Sequence, residues 1–118
     1  MNQAMQIATT YLATWNADAA DRVEHLNRWA DGATYVDPLM AGTGKAQIAA
    51  MMNAAVQQFP GHRFDLAGTP DGHGRYVRFG WKLVAPDGQA AAHGMDVVRL
   101  DPDGRIEEVV GFLDEASA

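Results

Sequence analysis

Two proline-aspartate-glycine turns constrain this chain more than any other feature. Ala85-Pro86-Asp87-Gly88 and Asp101-Pro102-Asp103-Gly104 each lie between β-prone runs. Proline presets φ and glycine accepts the left-handed region, so each tetrapeptide reverses the chain. The runs they join are Tyr76 to Val84, Gln89 to Leu100 and Arg105 to Leu113. Two consecutive hairpins of this kind predict an antiparallel meander. A further short strand is expected from Arg63 to Leu66, and Gly72-His73-Gly74 reads as a turn.

The first half has a different period. Met5, Ala8, Leu12 and Trp15, with Tyr11 beside them, predict a helix over 3–15. Asn16-Ala17-Asp18 breaks it, and Asp18 is a candidate N-cap for a second helix with Val23, Leu26 and Ala30 as its apolar face. Asp31-Gly32 ends that helix. Thr34-Tyr35-Val36 is a short strand stopped by Asp37-Pro38, because proline removes a ladder donor. Leu39 to Gly44 reads as a small flexible loop. A third helix is predicted from Lys45 to Phe59, where Ile48, Met51, Met52, Ala55, Val56 and Phe59 form one stripe, with Pro60-Gly61 as its terminator. The fold class is therefore α+β, one domain over 1–118, with three N-terminal helices covering one face of a mostly antiparallel sheet.

The last two strands read as apolar on both faces. Val98 and Leu100 alternate with Met95 and Val97, and Ile106, Val110 and Phe112 alternate with Val109 and Leu113. One domain buries one face of such a sheet, so the second face predicts a homodimer packed through it.

Composition removes several classes of function. There is no cysteine, hence no disulfide, zinc-thiolate site or thiol nucleophile. The absence fits a reducing cytoplasm, the expected location. The single serine, Ser117, sits in the C-terminal tail, which argues against a serine hydrolase. The net charge is −6, and the nine Lys and Arg are scattered, against nucleic acid as a partner. No apolar run approaches a membrane span, and Met1-Asn2-Gln3-Ala4 does not open a signal peptide. His25, His62 and His73 lack metal-ligand spacing, and Asp101 to Gly104 lacks the later ligands of a calcium loop. Gly42-Thr43-Gly44-Lys45 is too short to cradle phosphate. No metal and no cofactor are expected.

Two aspartates remain as candidates for chemistry. Asp37 ends a strand before a proline; it either caps backbone amides in a turn or sits at the mouth of an enclosed site. Asp96 lies mid-strand between Met95 and Val97, where a buried ionised carboxylate would cost several kcal/mol. It either pairs with Arg78 or Arg99 on the surface or faces a cavity. By alternation His93 faces away from Asp96.

Asp31-Gly32-Ala33-Thr34-Tyr35-Val36-Asp37-Pro38, followed by Gly44-Lys45-Ala46-Gln47-Ile48-Ala49-Ala50, resembles the middle of the nuclear transport factor 2-like superfamily, in its ketosteroid isomerase and SnoaL-like polyketide cyclase branch. Gly94 to Ile106 is similar to the penultimate strand, turn and last strand of that branch. The resemblance implies a cone: a strongly curved sheet closed by helices around an apolar cavity. It implies Asp37 as general base and Asp96 as a protonated donor to a developing oxyanion, the arrangement by which ketosteroid isomerase is known. Those isomerases carry a second donor, a tyrosine on the first helix. A gapless count from Asp37 gives Ala13 there, and Tyr11 is the nearest tyrosine. Trp29 and Met52 stand where supporting tyrosines are expected. The ligand is expected to be a hydrophobic small molecule meeting Tyr11, Trp15, Trp29, Met52, Phe59, Trp81, Val98 and Phe112. An isomerase or cyclase moving a proton on a carbonyl compound is one reading, and a non-catalytic binding or dimerisation module of the same fold is the other.

Overall fold

The structure is a computed structural model that describes residues 3–114; Met1, Asn2 and the tail with Ser117 lie outside the described residues. Helices α1 (Gln3–Asn16), α2 (Ala19–Leu26) and α3 (Lys45–Gln57) accompany strands β1 (Thr34–Val36), β2 (Ala41–Thr43), β3 (Arg63–His73), β4 (Tyr76–Val84), β5 (Ala90–Leu100) and β6 (Ile106–Leu113). The six strands form one curved, unclosed sheet in the order β2-β1-β6-β5-β4-β3. All pairings are antiparallel except β1 with β6, which is parallel. The two hairpins are as expected, with Gly88 and Gly104 at φ 88° and 84°, which side chains with a Cβ rarely adopt.

Four local readings need correction. Leu39 to Gly44 is more than a loop, because Ala41–Thr43 pairs with β1 and the Asp37 amide donates to the Met40 carbonyl at 2.9 Å. β3 runs to His73 rather than Leu66. Its register shifts between Ala67 and Asp71, and an edge strand accommodates Gly68 and Pro70 in such an irregularity. In β6, Leu100 pairs with Ile106 but Arg99 pairs with Glu108. Glu107 is the extra residue, so Ile106 joins Val109 on the inner face instead of Val110. α2 ends at Leu26 rather than at Asp31-Gly32, so Ala30 lies outside it; Leu26 is buried as expected, but Val23 is half exposed and Arg22 is buried in its place. The cap is as expected, with Asp18 Oδ1 accepting from the Asp21 amide at 2.8 Å.

The core lies between the inner face of the sheet and the helices. Ala8, Tyr11, Ile48, Met52, Phe79, Val98 and Val109 are fully or almost fully enclosed. α1 is fastened to β3 by both ends of the Asn16 amide: Nδ2 donates to the Phe64 carbonyl at 2.8 Å and Oδ1 accepts from its amide at 2.7 Å. Between this fastening and the strand ends the layers do not close, and a cavity remains.

Candidate functional site

Strand β1 delivers the first carboxylate. Side chains two apart share a face, so Tyr35 and Asp37 point the same way. The Tyr35 hydroxyl donates to Asp37 Oδ2 at 2.6 Å. Asp37 Oδ1 accepts the amides of Leu39 and Met40 at 2.8 and 2.9 Å, an Asx turn that closes the β1–β2 hairpin. The turn reading of Asp37 is thus correct as far as Oδ1 goes. Oδ2 takes one hydrogen bond and keeps a lone pair for chemistry.

Strand β5 delivers the second. Asp96 is 4% exposed and faces inward with Gly94, Val98 and Leu100. It pairs with neither surface arginine: Arg78 meets Asp71 at 3.2 Å, and Arg99 meets Glu107 and Glu108 at 3.0 and 3.2 Å. The Trp81 indole donates to Asp96 Oδ1 at 3.1 Å. Burial raises the Asp96 pKa from 3.8 to about 6; hydrogen bonds from Tyr11 and Trp81 oppose the rise, and the Asp37 charge adds to it.

Two glycines make this arrangement possible. Trp81 and Gly94 face each other across β4 and β5. A Cβ on Gly94 would sit 2.7 Å from Trp81 Cζ2 and 2.1 Å from the Phe112 carbonyl oxygen, so only glycine lets the indole lie over the strand. A Cβ on Gly111 would sit 2.9 Å from Asp96 Oδ1, 3.1 Å from Asp37 Cβ and 3.6 Å from the Tyr35 hydroxyl. The two carboxylates therefore converge over Gly111.

Tyr11 completes the group. It is wholly buried on α1, accepts a hydrogen bond from the Trp15 indole at 2.9 Å, and its hydroxyl interacts with the Asp96 carboxylate. Burial first, and then the Asp96 charge, push the phenol well above its ordinary value, so it stays a neutral donor. Tyr35 is raised in the same direction, by burial and then by its bond to Asp37. Ala13, the position reached by gapless counting, borders a polar groove between α1 and α2 instead. Tyr11 is the tyrosine of the first helix that reaches Asp96.

The cavity above this group has a volume of about 320 Å³. Of the expected ligand contacts, Tyr11, Trp15, Phe59, Trp81 and Phe112 line it together with Asp37 and Asp96. Phe59 and Phe112 stand at the rim, both about half exposed. Trp29, Met52 and Val98 do not reach the wall. Trp29 stacks behind Tyr11 at 6.0 Å, and Met52 and Val98 are sealed in the core at 0% exposure. Aromatic character alone did not separate wall from core, because both are apolar. The sequence reading missed Tyr35, Leu12, Met40, Val56, Phe64 and Arg22, all of which line the cavity. The two-residue spacing from Tyr35 to Asp37 was a usable signal for one of them. Phe64 links Trp15 and Trp81, with ring centroids 5.1 and 5.5 Å away.

A curved sheet and three helices around an apolar cavity with paired carboxylates define a cone-shaped pocket protein. The chain belongs to the SnoaL-like domain family, whose pattern it matches over residues 8–109. It is similar to a crystal structure from Agrobacterium tumefaciens described as a "putative isomerase of the SnoaL-like family", at 56% identity and TM-score 0.94, covering 98% of this chain and 100% of that one. At the level of fold it is also similar to a "putative SnoaL-like polyketide cyclase" from Jannaschia (17% identity, TM-score 0.74, 95% and 85% covered). A protein of cystatin-like fold from Methylobium petroleophilum is comparable (22%, TM-score 0.74, 98% and 78% covered). Comparison with curated proteins returns no significant match.

Proposed function

We propose that the protein is a cofactor-independent enzyme that moves a proton on an apolar carbonyl compound, as an isomerase or cyclase. The observation that carries this reading is the convergence of Asp37 and Asp96 over Gly111 at one apolar cavity. Asp37 Oδ2 removes a proton from the carbon next to the carbonyl. The electron pair of that C–H bond moves to the carbonyl oxygen, which gathers enolate charge. Protonated Asp96 and the Tyr11 hydroxyl donate hydrogen bonds to that oxygen, and Asp37 returns the proton to carbon. Entry of an apolar ligand removes water from Asp96 and favours its protonated form further. The similarity to a structure described as a "putative isomerase" points the same way. An open cavity, with Trp29 and Met52 packed behind its wall, favours a ligand-binding role over a purely structural module.

The test is a screen of α,β- and β,γ-unsaturated ketones for deuterium uptake from heavy water, run on the parent and on Asp37→Asn. Exchange by the parent and near silence of the variant is the expected result. Equal exchange by both would leave Asp37 as a turn residue only. We further propose a homodimer through the outer face of the sheet, where Val36 and Met95 are 46% and 41% exposed. Sedimentation showing only monomer at micromolar concentration removes it.

A further inference from the structure

The cavity holds a cation that the proton-transfer reading does not use. Arg22 is 2% exposed and lines the cavity, yet it forms no ion pair with any carboxylate among the described residues. Its donors go elsewhere. Nε donates to the Thr14 carbonyl at 3.0 Å, and Nη2 donates to the carbonyls of Trp15, at 3.0 Å, and of Ala17. Nη1 donates to the Asn53 amide oxygen. A guanidinium has five N–H groups, so one on Nη1 has no partner in this set.

These bonds explain why the side chain is buried but not how its charge is balanced. Thr14 and Trp15 belong to the last turn of α1, whose dipole supplies the equivalent of about half a negative charge. Asp18 acts on Arg22 only at a distance, and its Oδ1 is taken by the Asp21 amide. A buried cation met by about half a charge and one distant carboxylate is an incomplete pair. Burial pushes the guanidinium below its ordinary value, the direction expected of a cation lacking a counter-ion.

We infer that the cavity takes an amphipathic ligand, an unsaturated ketone bearing a carboxylate, and that Arg22 binds the carboxylate through its free Nη1–H. This rests on the proposed function for the carbonyl end and adds the other end. Arg22 pairs with neither Asp37 nor Asp96, and Leu12, Trp15, Val56 and Phe64 supply apolar wall in the same cavity. One monoanion completes the charge. The carboxylate also meets a donor that is otherwise unpaired, and a site built around such a donor discriminates strongly against analogues that cannot accept from it.

The probes are an aryl-substituted unsaturated keto acid and its methyl ester, titrated into the intact protein at pH 8 and followed by quenching of Trp15 and Trp81. The acid is expected to bind at least tenfold more tightly than the ester, and Arg22→Gln to bring that ratio near one. Equal binding, preference for the ester, or no binding of either probe overturns the inference, and the parent protein alone decides this if Arg22→Gln fails to fold. Deuterium uptake by the bound acid is scored separately, below pH 6 where Asp96 is protonated: tight binding of the acid without exchange sinks the proposed reaction and leaves the Arg22 assignment standing.

Discussion

The two faces of β5 treat charge in opposite ways. Inward, Gly94, Asp96, Val98 and Leu100 present one carboxylate in an apolar layer, held by an indole and a phenol and raised in pKa by burial. Outward, Met95 and Val97 share their face with Arg99, which meets Glu107 and Glu108 in open ion pairs. A charge in water needs little help, and its pairs contribute little to stability. A charge behind the sheet needs every neighbour to be right, and that is why Gly94, Trp81, Tyr11 and Gly111 matter there. Substitutions one residue apart should therefore have unequal consequences.

The largest difference is expected in turnover. Asp37→Asn should lower the exchange rate by a factor on the order of 100, the usual worth of a positioned base. Arg99→Ala, on the outer face, should leave the rate unchanged, and the same mass-spectrometric assay reads both. The dependence on pH should be almost as steep. If protonated Asp96 is required, kcat/KM should fall roughly tenfold per unit as pH rises above about 6 in the free protein. A rate that instead climbs through that range would make Asp96 the base and exchange the roles of the two carboxylates.

Stability should show the same contrast on a smaller scale. Below the unfolded carboxyl pKa, Asp96 is protonated in both states and contributes no penalty. As pH rises the unfolded chain ionises first, so stability falls until about pH 6 and then stays lower. The shift corresponds to about 3 kcal/mol. Asp96→Asn removes that penalty and adds some cost for burying an amide, leaving a gain of about 1–2 kcal/mol at pH 8 that vanishes near pH 4. Urea titrations at both pH values check it, and a loss at pH 8 would mean the carboxylate is better satisfied than its burial suggests. The smallest effect belongs to the outer face. Met95→Glu should abolish self-association in sedimentation while moving the urea midpoint of the dissociated protein little, because the side chain is already in water.

Local chemistry was enough to read much of this molecule from its sequence. Pro-Asp-Gly turns name hairpins, a 3.6-residue stripe names α3, and a carboxylate amid valines names Asp96 as unusual, because each signal lies within a few residues of chain. What only the tertiary structure decided depends on distant partners. β1 lies parallel beside β6, which recruits Ala41–Thr43 into the sheet and carries Asp37 to Asp96 across half the chain. One extra residue in β6 sends Ile106 to the other face, since the strand period is two and any slip inverts it. Trp15 and Trp29 look alike as aromatics in the first half of the chain, yet one lines the cavity and the other backs Tyr11. Nothing near Arg22 in the sequence singles it out, because charge normally stays in water; only the unpaired carbonyls at the end of α1, close by in space, explain why it is inside.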